Sequence, residues 1–339
     1  MRSYLKFIVF CLVFSVWNYA AADAALLKQS DVQMFIAKMV KEYKFSKRNL
    51  VVTLREAQYQ PQIIESMEKP FEQKTWDIYK DLFLTQQRLD AGVAFWRENA
   101  DTLKQAERQY GVPADIIVAI IGVETLYGKK QGNYRVLDAL TTLAFYYPKR
   151  ADFFKKELGE YLLLCREHGD SPTQYYGSYA GAIGKPQFMP SSYRFYAIDF
   201  TGKGKRDLIN DDKDVIASVA NYFKKHGWKT NEEVALPVKV SGWRYRKIQT
   251  NSRQPNYDLK RLLAVGIKPE KTVPNYPRRA GLIELNTQSG QEFWLAYPNF
   301  YVITRYNTSP QYAMVVYLLA QQLREQITSG PIHQGGVNS

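Results

Sequence analysis

The chain has 339 residues, of which 45% are apolar, so it can bury a sizeable core and is not an intrinsically disordered protein. It carries 46 lysines and arginines against 33 aspartates and glutamates, and the net charge of +13 indicates either an anionic partner or a merely solvated basic surface. Three histidines and two cysteines are too few and too scattered for a zinc-site pattern.

Residues 1–22 have the pattern of a secretory signal peptide. Arg2 and Lys6 form a basic start, an apolar run follows over 7–17, and Ala22 lies in a small-residue cleavage site. The apolar run is shorter than the roughly 20 residues of a membrane helix. We therefore expect a periplasmic protein with no transmembrane segment in the mature chain, the alternative being an uncleaved anchor. Cleavage would leave Cys165 as the single cysteine, without an intramolecular disulfide.

Helical periodicity dominates the first two thirds of the mature chain. Apolar residues spaced three and four apart predict a helix over 31–43, with Ser30 as its N-cap, and another over about 89–110. We place an N-terminal helical domain at 25–110. Further helices joined by loops with glycine and proline are predicted over 111–233, which we interpret as the core of the protein.

The pattern changes after Val234, where apolar and polar residues alternate and prolines recur. This alternation predicts a small β-rich domain at 234–299. The chain then returns to the core over 300–327, ending in a helix, and 328–339 form a flexible tail. The predicted fold class is therefore mainly α (α+β).

Glu124 stands out because it lies in an apolar helix. Pro113 is suited to begin this helix, and at 100° per residue Glu124 shares a face with Ile117, Ile120 and Ile121. A carboxylate in such surroundings is either paired with a buried lysine or arginine, or lies at the floor of a cleft with a raised pKa. A raised pKa is what a general acid needs near neutral pH. Periodicity alone leaves both interpretations open.

Three motifs in the same order resemble the lytic murein transglycosylase B family. The segment 122–128, GVETLYG, resembles its catalytic-glutamate motif, and 177–192, GSYAGAIGKPQFMPSS, resembles its second signature. The segment 298–307, PNFYVITRYN, resembles its return from the β-rich region to the core. The similarity extends from about residue 30 to 327.

The resemblance implies a lysozyme-like helical core with an N-terminal helical domain and a small β insertion. It also implies cleavage of the β-1,4 bond between N-acetylmuramic acid and N-acetylglucosamine in peptidoglycan, without water, to give 1,6-anhydromuramoyl ends. Glu124 would act first as general acid and then as base, and no cofactor is required. The nucleophile belongs to the substrate, so a second carboxylate is not needed.

The resemblance also assigns the substrate-binding residues. Neutral and aromatic side chains would line the glycan site, while basic residues would face the peptide stems. The glycan-site residues are Ser178, Gln187, Tyr222, Tyr306, Asn307 and Tyr312, and the basic residues are Lys149 and Arg150.

A candidate calcium loop follows the second motif, because members of this family can carry an EF-hand-like loop there. Asp199, Thr201 and Asp214 are the candidate ligands. Lys203 occupies the fifth position, where an ammonium group donates hydrogen bonds and opposes a cation. The alternative is that pairing between this lysine and an aspartate replaces the ion.

Two other functions are retained as alternatives: a muramidase that uses water, and a non-catalytic wall-binding protein. The expected partner is the glycan strand of peptidoglycan rather than nucleic acid, since an exported protein rarely meets nucleic acid and no nucleic-acid-binding motif is present. We expect a monomer. Partner proteins of wall synthesis are not predicted by the sequence.

Overall fold

The computed structural model describes residues 26–68, 74–271 and 277–329. The predicted signal peptide and nearly all of the predicted tail lie outside the described residues. The chain divides into two compact units. The first contains residues 26–68 and Gln131–Phe195, and the second contains 74–130 and the described residues from Tyr196 onward. The domain boundaries inferred from the sequence stay predictions.

Helices make up most of the described chain. They are α1 (Ser30–Tyr43), α2 (Lys47–Arg55), α3 (Pro61–Glu68), α4 (Trp76–Phe83), α5 (Gln86–Glu98), α6 (Ala100–Tyr110), α7 (Ala114–Thr125), α8 (Val136–Tyr146), α9 (Ala151–His168), α10 (Pro190–Tyr196), α11 (Asp212–Lys225), α12 (Leu259–Ala264), α13 (Pro298–Ile303) and α14 (Pro310–Thr328). Short 3₁₀ helices occur at Pro148–Arg150 and Arg244–Lys247. No helix in the described ranges is both long and apolar enough to cross a bilayer.

The strands form one small sheet in each unit. They are β1 (Tyr134–Arg135), β2 (Tyr176–Gly177), β3 (Ala235–Val240), β4 (Tyr257–Asp258), β5 (Ile267–Pro269), β6 (Arg279–Thr287) and β7 (Gly290–Ala296). In the first unit β1 pairs with β2, and in the second unit the order is β4-β6-β7-β3-β5 with antiparallel pairing throughout. The predicted small β-rich region is therefore present within a mainly helical protein.

The core of the first unit forms where α8 packs along α9. Asp138 is buried in α8, and the Arg135 guanidinium lies 2.7 Å from its carboxylate. The same carboxylate accepts the backbone N–H of Gln58 at 2.9 Å. The buried carboxylate of Asp138 is both paired and hydrogen-bonded, so its charge is compensated. It thereby attaches the segment that precedes α3 to helix α8.

The core of the second unit is built around α7, in which every side chain from Ala114 to Val123 is buried. Helix α14 packs along it, and α5 and α6 also contact it. Burial of each isoleucine contributes about 1.5–3 kcal/mol, so the four isoleucines of α7 fix its position firmly. Helix α7 therefore provides a rigid support for whatever its last turn carries.

The five-stranded sheet packs one apolar face against α12. Leu236, Leu282 and Leu295 come from neighbouring strands and are buried together with Leu262 of α12. The β6–β7 hairpin sets the register, with Gly281 opposite Ala296 and Thr287 opposite Gly290. Burial follows the alternation that predicted strands in this region only in part, because four successive residues of β6, 280–283, are buried.

Three helix boundaries differ from the sequence-based prediction. The helix predicted over 89–110 is two helices, because Asn99 leaves helical geometry and its side-chain amide donates to the Phe95 carbonyl at 3.0 Å. Helix α1 begins at Ser30 with Gln29 as its N-cap, so the prediction of Ser30 as the cap was wrong by one residue. Pro113 caps α7 rather than beginning it.

Candidate active site

Glu124 lies in the last turn of α7, where the apolar helix ends. Its side chain is half-buried, whereas the residues before it on the helix are buried. The chain leaves the helix through two residues with left-handed backbone, Leu126 (φ 50°) and Tyr127 (φ 57°). Such backbone costs about 1–2 kcal/mol for a residue other than glycine, and it is concentrated at functional sites.

Hydrogen bonds hold this strained turn in place. The N–H of Leu126 donates to the Gly122 carbonyl at 3.1 Å, and the Thr125 hydroxyl accepts the N–H of Gly128 at 3.0 Å. The Thr125 carbonyl accepts the N–H of Lys130 at 2.9 Å. The first sequence motif therefore fixes the backbone on both sides of Glu124.

A phenol from another helix holds the carboxyl group of Glu124. The Tyr312 hydroxyl, in the first turn of α14, donates to Glu124 Oε1 at 2.5 Å. That turn is fixed in its own right, because the Ser309 hydroxyl accepts the N–H of Tyr312 as an N-cap. Tyr312 is only 4% exposed, so its ring cannot turn away without opening a cavity.

The surroundings of Glu124 favour its protonated form. Burial raises the pKa of Glu124 from 4.5 to about 7, and the hydrogen bond from Tyr312 partly opposes this rise. Within the described part of the chain, no lysine or arginine forms an ion pair with Glu124, whereas Asp115 on the same helix is paired with Arg324. These contacts fit the interpretation of a cleft acid and not that of an ion-paired structural glutamate.

Aromatic side chains of the second unit adjoin this carboxyl group. The Tyr222 and Tyr306 rings lie 4.9 Å apart between centroids and meet edge to face. The Tyr222 hydroxyl donates to the Arg305 carbonyl at 2.7 Å, which anchors α11 to the turn before Tyr306. Burial raises the pKa of Tyr306, and the charge of Glu124 adds to this effect. Both phenols therefore remain neutral next to the acid.

One aromatic residue of this group was missed by the sequence reasoning. Tyr79 on α4 is buried, and its ring stacks on that of Trp76. The electrostatic interaction between the Tyr79 and Tyr312 phenols contributes to the raised pKa of Tyr312. Helical periodicity marks Tyr79 only as one buried aromatic residue among many. Asn307, which was predicted, accepts the N–H of Ser309 through its Oδ1 at 3.0 Å and so helps to shape the start of α14.

Ser178 and Gln187 belong to the first unit, where they hold a compact loop. The Ser178 hydroxyl oxygen accepts the N–H groups of Ala180 and Ala182. The Gln187 side chain donates to the carbonyls of Gln131 (3.1 Å) and Gly184 (2.8 Å). These hydrogen bonds leave the Ser178 hydroxyl proton as a donor and the Gln187 side-chain oxygen as an acceptor for a ligand.

Lys149 and Arg150 also lie in the first unit, in the 3₁₀ helix before α9. Lys149 Nζ is 2.7 Å from a carboxylate oxygen of Glu68, and the Arg150 guanidinium lies 4.3 Å from the centre of the Phe153 ring. Both side chains belong to exposed residues. Their predicted role toward peptide stems stays a prediction, as do the predicted roles of the other site residues.

The loop before α11 uses its carboxylates internally. Asp199 accepts the N–H groups of Lys203 (3.0 Å) and Gly204 (2.7 Å), one on each oxygen. Asp214 is fully buried and accepts the N–H groups of Phe200 (2.8 Å) and Asp207 (2.9 Å). No group of three or more His, Cys, Asp or Glu side chains in the described ranges is arranged to hold a metal ion.

Comparison with known proteins places this geometry in a family. The model of the Transglycosylase SLT domain matches residues 28–321. The chain belongs to the transglycosylase SLT family. The predicted enzyme class, a lytic transglycosylase, and the predicted lysozyme-like, mainly helical fold class are confirmed.

Relatives match over most of their length. The chain is 40% identical over 301 residues to membrane-bound lytic murein transglycosylase B of Escherichia coli, covering 86% of this chain and 82% of the relative. Soluble lytic transglycosylase SltB1 of Pseudomonas aeruginosa is 43% identical, with a TM-score of 0.80 over 88% of this chain and 99% of that chain.

Two further structures of relatives contain ligands. The Escherichia coli lytic transglycosylase Slt35 in complex with calcium is 40% identical, with a TM-score of 0.79 over 88% of this chain and 93% of that chain. SltB3 of Pseudomonas aeruginosa in complex with NAG-anhNAM-pentapeptide is 27% identical, with a TM-score of 0.74 over 87% of this chain and 80% of that chain.

The raised pKa of Glu124 predicts that this carboxyl group destabilises the fold. An unfolded glutamate ionises near pH 4.5 and the folded one near pH 7, so stability falls between these values and stays lower above them. Glu124→Gln should therefore raise the free energy of unfolding above pH 7 by on the order of 3 kcal/mol. The gain should shrink as the pH falls and vanish below about 4.5. Urea unfolding across this pH range measures it, and a gain that does not depend on pH would contradict the assignment.

Proposed function

We propose that this transglycosylase cleaves the β-1,4 bond between N-acetylmuramic acid and N-acetylglucosamine in peptidoglycan, with Glu124 as general acid and then general base. The observation that carries the proposal is the carboxyl group of Glu124, which is held by Tyr312, has no described ion-pair partner and has a pKa of about 7. At neutral pH such a group exists in both protonation states, as a residue that must give and then regain a proton requires.

The reaction would proceed in two proton transfers. The protonated Glu124 carboxyl donates its proton to the glycosidic oxygen as the bond from that oxygen to C1 of the muramoyl residue breaks. The muramoyl C6 oxygen then bonds to C1, and its proton returns to the Glu124 carboxylate. The product carries a 1,6-anhydro ring, no water is consumed, and the enzyme returns to its starting protonation state.

The electrostatics of Glu124 support one carboxylate rather than two. Glycosidases that use water or a covalent intermediate usually place a second carboxylate about 5–10 Å from the acid. Among the described residues, no other acid contributes to the pKa of Glu124. The complex of SltB3 with NAG-anhNAM-pentapeptide, a ligand with an anhydro ring, agrees with this chemistry for a relative.

In this mechanism Tyr312 positions the acid. Its hydroxyl donates to Glu124 Oε1, which directs the other carboxyl oxygen to the substrate and stabilises the carboxylate that forms after proton transfer. Ser178, Gln187, Tyr222, Tyr306 and Asn307 are proposed to bind the glycan, and Lys149 and Arg150 are proposed to face the peptide stems. The proposed site of action is the periplasm, reached through the signal peptide at residues 1–22, with peptidoglycan strands as partner and a monomeric enzyme.

Glu124→Gln should abolish cleavage of purified sacculi while leaving the protein folded, because the amide is nearly isosteric but cannot donate an acidic proton. Mass spectrometry of released muropeptides measures this, and the wild-type products should be lighter by one water than hydrolysis products. Glu107→Gln is the control, since it makes the same change of charge at an exposed residue of α6. Products with reducing ends would make the enzyme a muramidase, and no release by a folded wild-type protein would favour the wall-binding alternative.

Tyr312→Phe should move the alkaline limb of the pH–rate profile upward. The hydrogen bond from Tyr312 lowers the pKa of Glu124, so its loss raises that pKa and keeps the acid protonated to higher pH. The maximal rate should fall, because the carboxyl group loses its fixed orientation. The measurement is kcat against pH on soluble glycan strands.

Tyr317→Phe provides the control for this experiment. Tyr317 is also a buried phenol on α14, but its hydroxyl contacts Glu233 and the Ala235 carbonyl instead of Glu124. The profile of Tyr317→Phe should keep its wild-type position. An equal displacement in both variants would show that the effect comes from general loosening of α14.

We also infer that the loop before α11 does not need calcium, although a structure of the relative Slt35 contains it. The candidate ligands Asp199 and Asp214 already accept backbone N–H groups with both carboxylate oxygens. Lys203 Nζ lies 2.6 Å from Asp211 Oδ2, which places a positive charge among these acids. The lysine ammonium supplies the charge that a metal ion would bring, so the residues present do not fit Ca²⁺.

Lys203→Asp should create measurable calcium affinity, because it removes the ammonium and adds a carboxylate at the fifth loop position. Titration calorimetry with CaCl₂ should show binding in the variant and none in the wild type. Lys205→Asp, two residues further along the loop, makes the same charge change and serves as control. Equal affinity in both variants would point to general attraction by negative charge.

A further inference from the structure

A cavity lies in the second unit, next to the turn that carries Tyr306. Its volume is about 350 Å³, within the range of small-ligand pockets. Its lining combines two arginines with short polar side chains and two apolar residues. The lining residues are Asn251, Ser252, Arg253, Phe300, Thr304, Arg305, Thr308 and Pro310.

Both arginines of the cavity lack an anionic partner within the described ranges. Neither Arg253 nor Arg305 forms an ion pair or a side-chain hydrogen bond with a described residue, and both are exposed. Some arginines elsewhere are paired, such as Arg135 with Asp138 and Arg324 with Asp115, whereas the exposed Arg246 forms no ion pair with a described residue. What distinguishes Arg253 and Arg305 is that both line one cavity. Two guanidinium groups on one cavity favour an anionic ligand over a neutral or cationic one.

Most of the other polar groups in the cavity are already committed. The Asn251 side chain bonds to the backbone of Glu284 through both its amide and its oxygen, at 3.0 Å each. The Ser252 hydroxyl donates to the Gln254 carbonyl and the Thr304 hydroxyl to the Tyr301 carbonyl. The guanidinium groups are therefore the main donors left for a ligand, so the ligand must be an acceptor.

The shape of the donor set favours a carboxylate. A guanidinium presents two parallel N–H groups that match the two oxygens of a carboxylate. Phe300 and Pro310 add apolar surface beside these donors. A ligand that joins a carboxylate to a small aliphatic group, as an amino-acid residue does, satisfies both parts of the lining.

The cavity includes the turn next to Tyr306, and this turn contacts Tyr222. Arg305 immediately precedes Tyr306, and its carbonyl accepts the Tyr222 hydroxyl at 2.7 Å. Burial is the main cause of the raised pKa of Tyr222. The positive charge of Arg305 lowers this pKa and the negative charge of Glu124 raises it, so the Tyr222 phenol is influenced by both charges. A ligand held by Arg305 would therefore lie beside the turn that holds Tyr222 and precedes Tyr306, two residues proposed to bind the glycan.

We propose that the cavity between Arg253 and Arg305 is a carboxylate-binding subsite for the peptide stem of the peptidoglycan strand. This inference rests on the proposed function, since it assumes that a glycan strand occupies the site of Glu124. The subsite holds the stem by its free carboxylate and thereby distinguishes strands that carry peptides from strands that lack them.

The test compares two substrates: glycan strands with intact stems, and the same strands after the stem carboxylates have been converted to methylamides. The wild-type enzyme should cleave the carboxylate form with the higher kcat/KM, mainly through a lower KM. In Arg253→Gln/Arg305→Gln this preference should fall by about tenfold or more, the size expected for loss of hydrogen bonds to a charged group. Arg246→Gln removes an exposed arginine of the same unit that does not line the cavity, and it should keep the preference.

A direct binding measurement separates this subsite from the chemistry. In the Glu124→Gln background, calorimetry with a released muropeptide should show binding that weakens when Arg253 and Arg305 are replaced and when the stem is amidated. Inorganic phosphate is the second probe, and competition by phosphate as strong as by the muropeptide would show a general anion site and overturn the proposal. An unchanged preference in the folded double variant would also overturn it. If the wild type cleaved neither substrate, the proposed function itself would fail.

Discussion

The proposed chemistry of this protein depends on one hydrogen bond in apolar surroundings, from the Tyr312 hydroxyl to the Glu124 carboxyl group. Burial favours the neutral acid and the phenol favours the carboxylate, and their balance brings the pKa of Glu124 to about 7. Each partner is fixed separately. Glu124 ends a helix buried on all sides, and Tyr312 begins a helix with a capped first turn. The fold therefore controls acidity by controlling where two helix ends meet.

This arrangement explains why α7 carries two acids with different surroundings. Asp115, near the beginning of the helix, is buried and paired with Arg324, so its charge is compensated within the fold. Glu124, at the other end, receives a hydrogen bond from a neutral phenol, forms no ion pair with a described residue, and stays partly open to solvent. The same helix thus contains one acid paired with a cation and one acid, the proposed catalytic group, that receives a phenol hydrogen bond; the partner of each acid makes the difference between them.

Much of this could be predicted from the sequence, because periodicity and motif order carry long-range information. A glutamate among isoleucines indicated an unusual acid, and the alternation after Val234 indicated a small sheet. The hydrogen bond from Tyr312 could not be deduced from spacing, since 188 positions separate it from Glu124. Tyr79 was missed for the same reason. The break at Asn99 escaped detection because the apolar pattern continues through it, while the asparagine side chain competes locally for a backbone carbonyl.

The lysine in the loop before α11 has a consequence for the conditions under which the fold persists. A bound ion exchanges with the medium, so a loop that depends on it loosens when chelators or competing ions lower its activity. The ammonium of Lys203 is part of the chain and cannot exchange with the medium. Its position beside Asp211 is therefore kept whatever ions the medium contains. With no bound ion, as proposed, the order of this loop does not depend on the divalent-ion content of the medium. It depends instead on ionic strength, which screens the charge pair of Lys203 and Asp211.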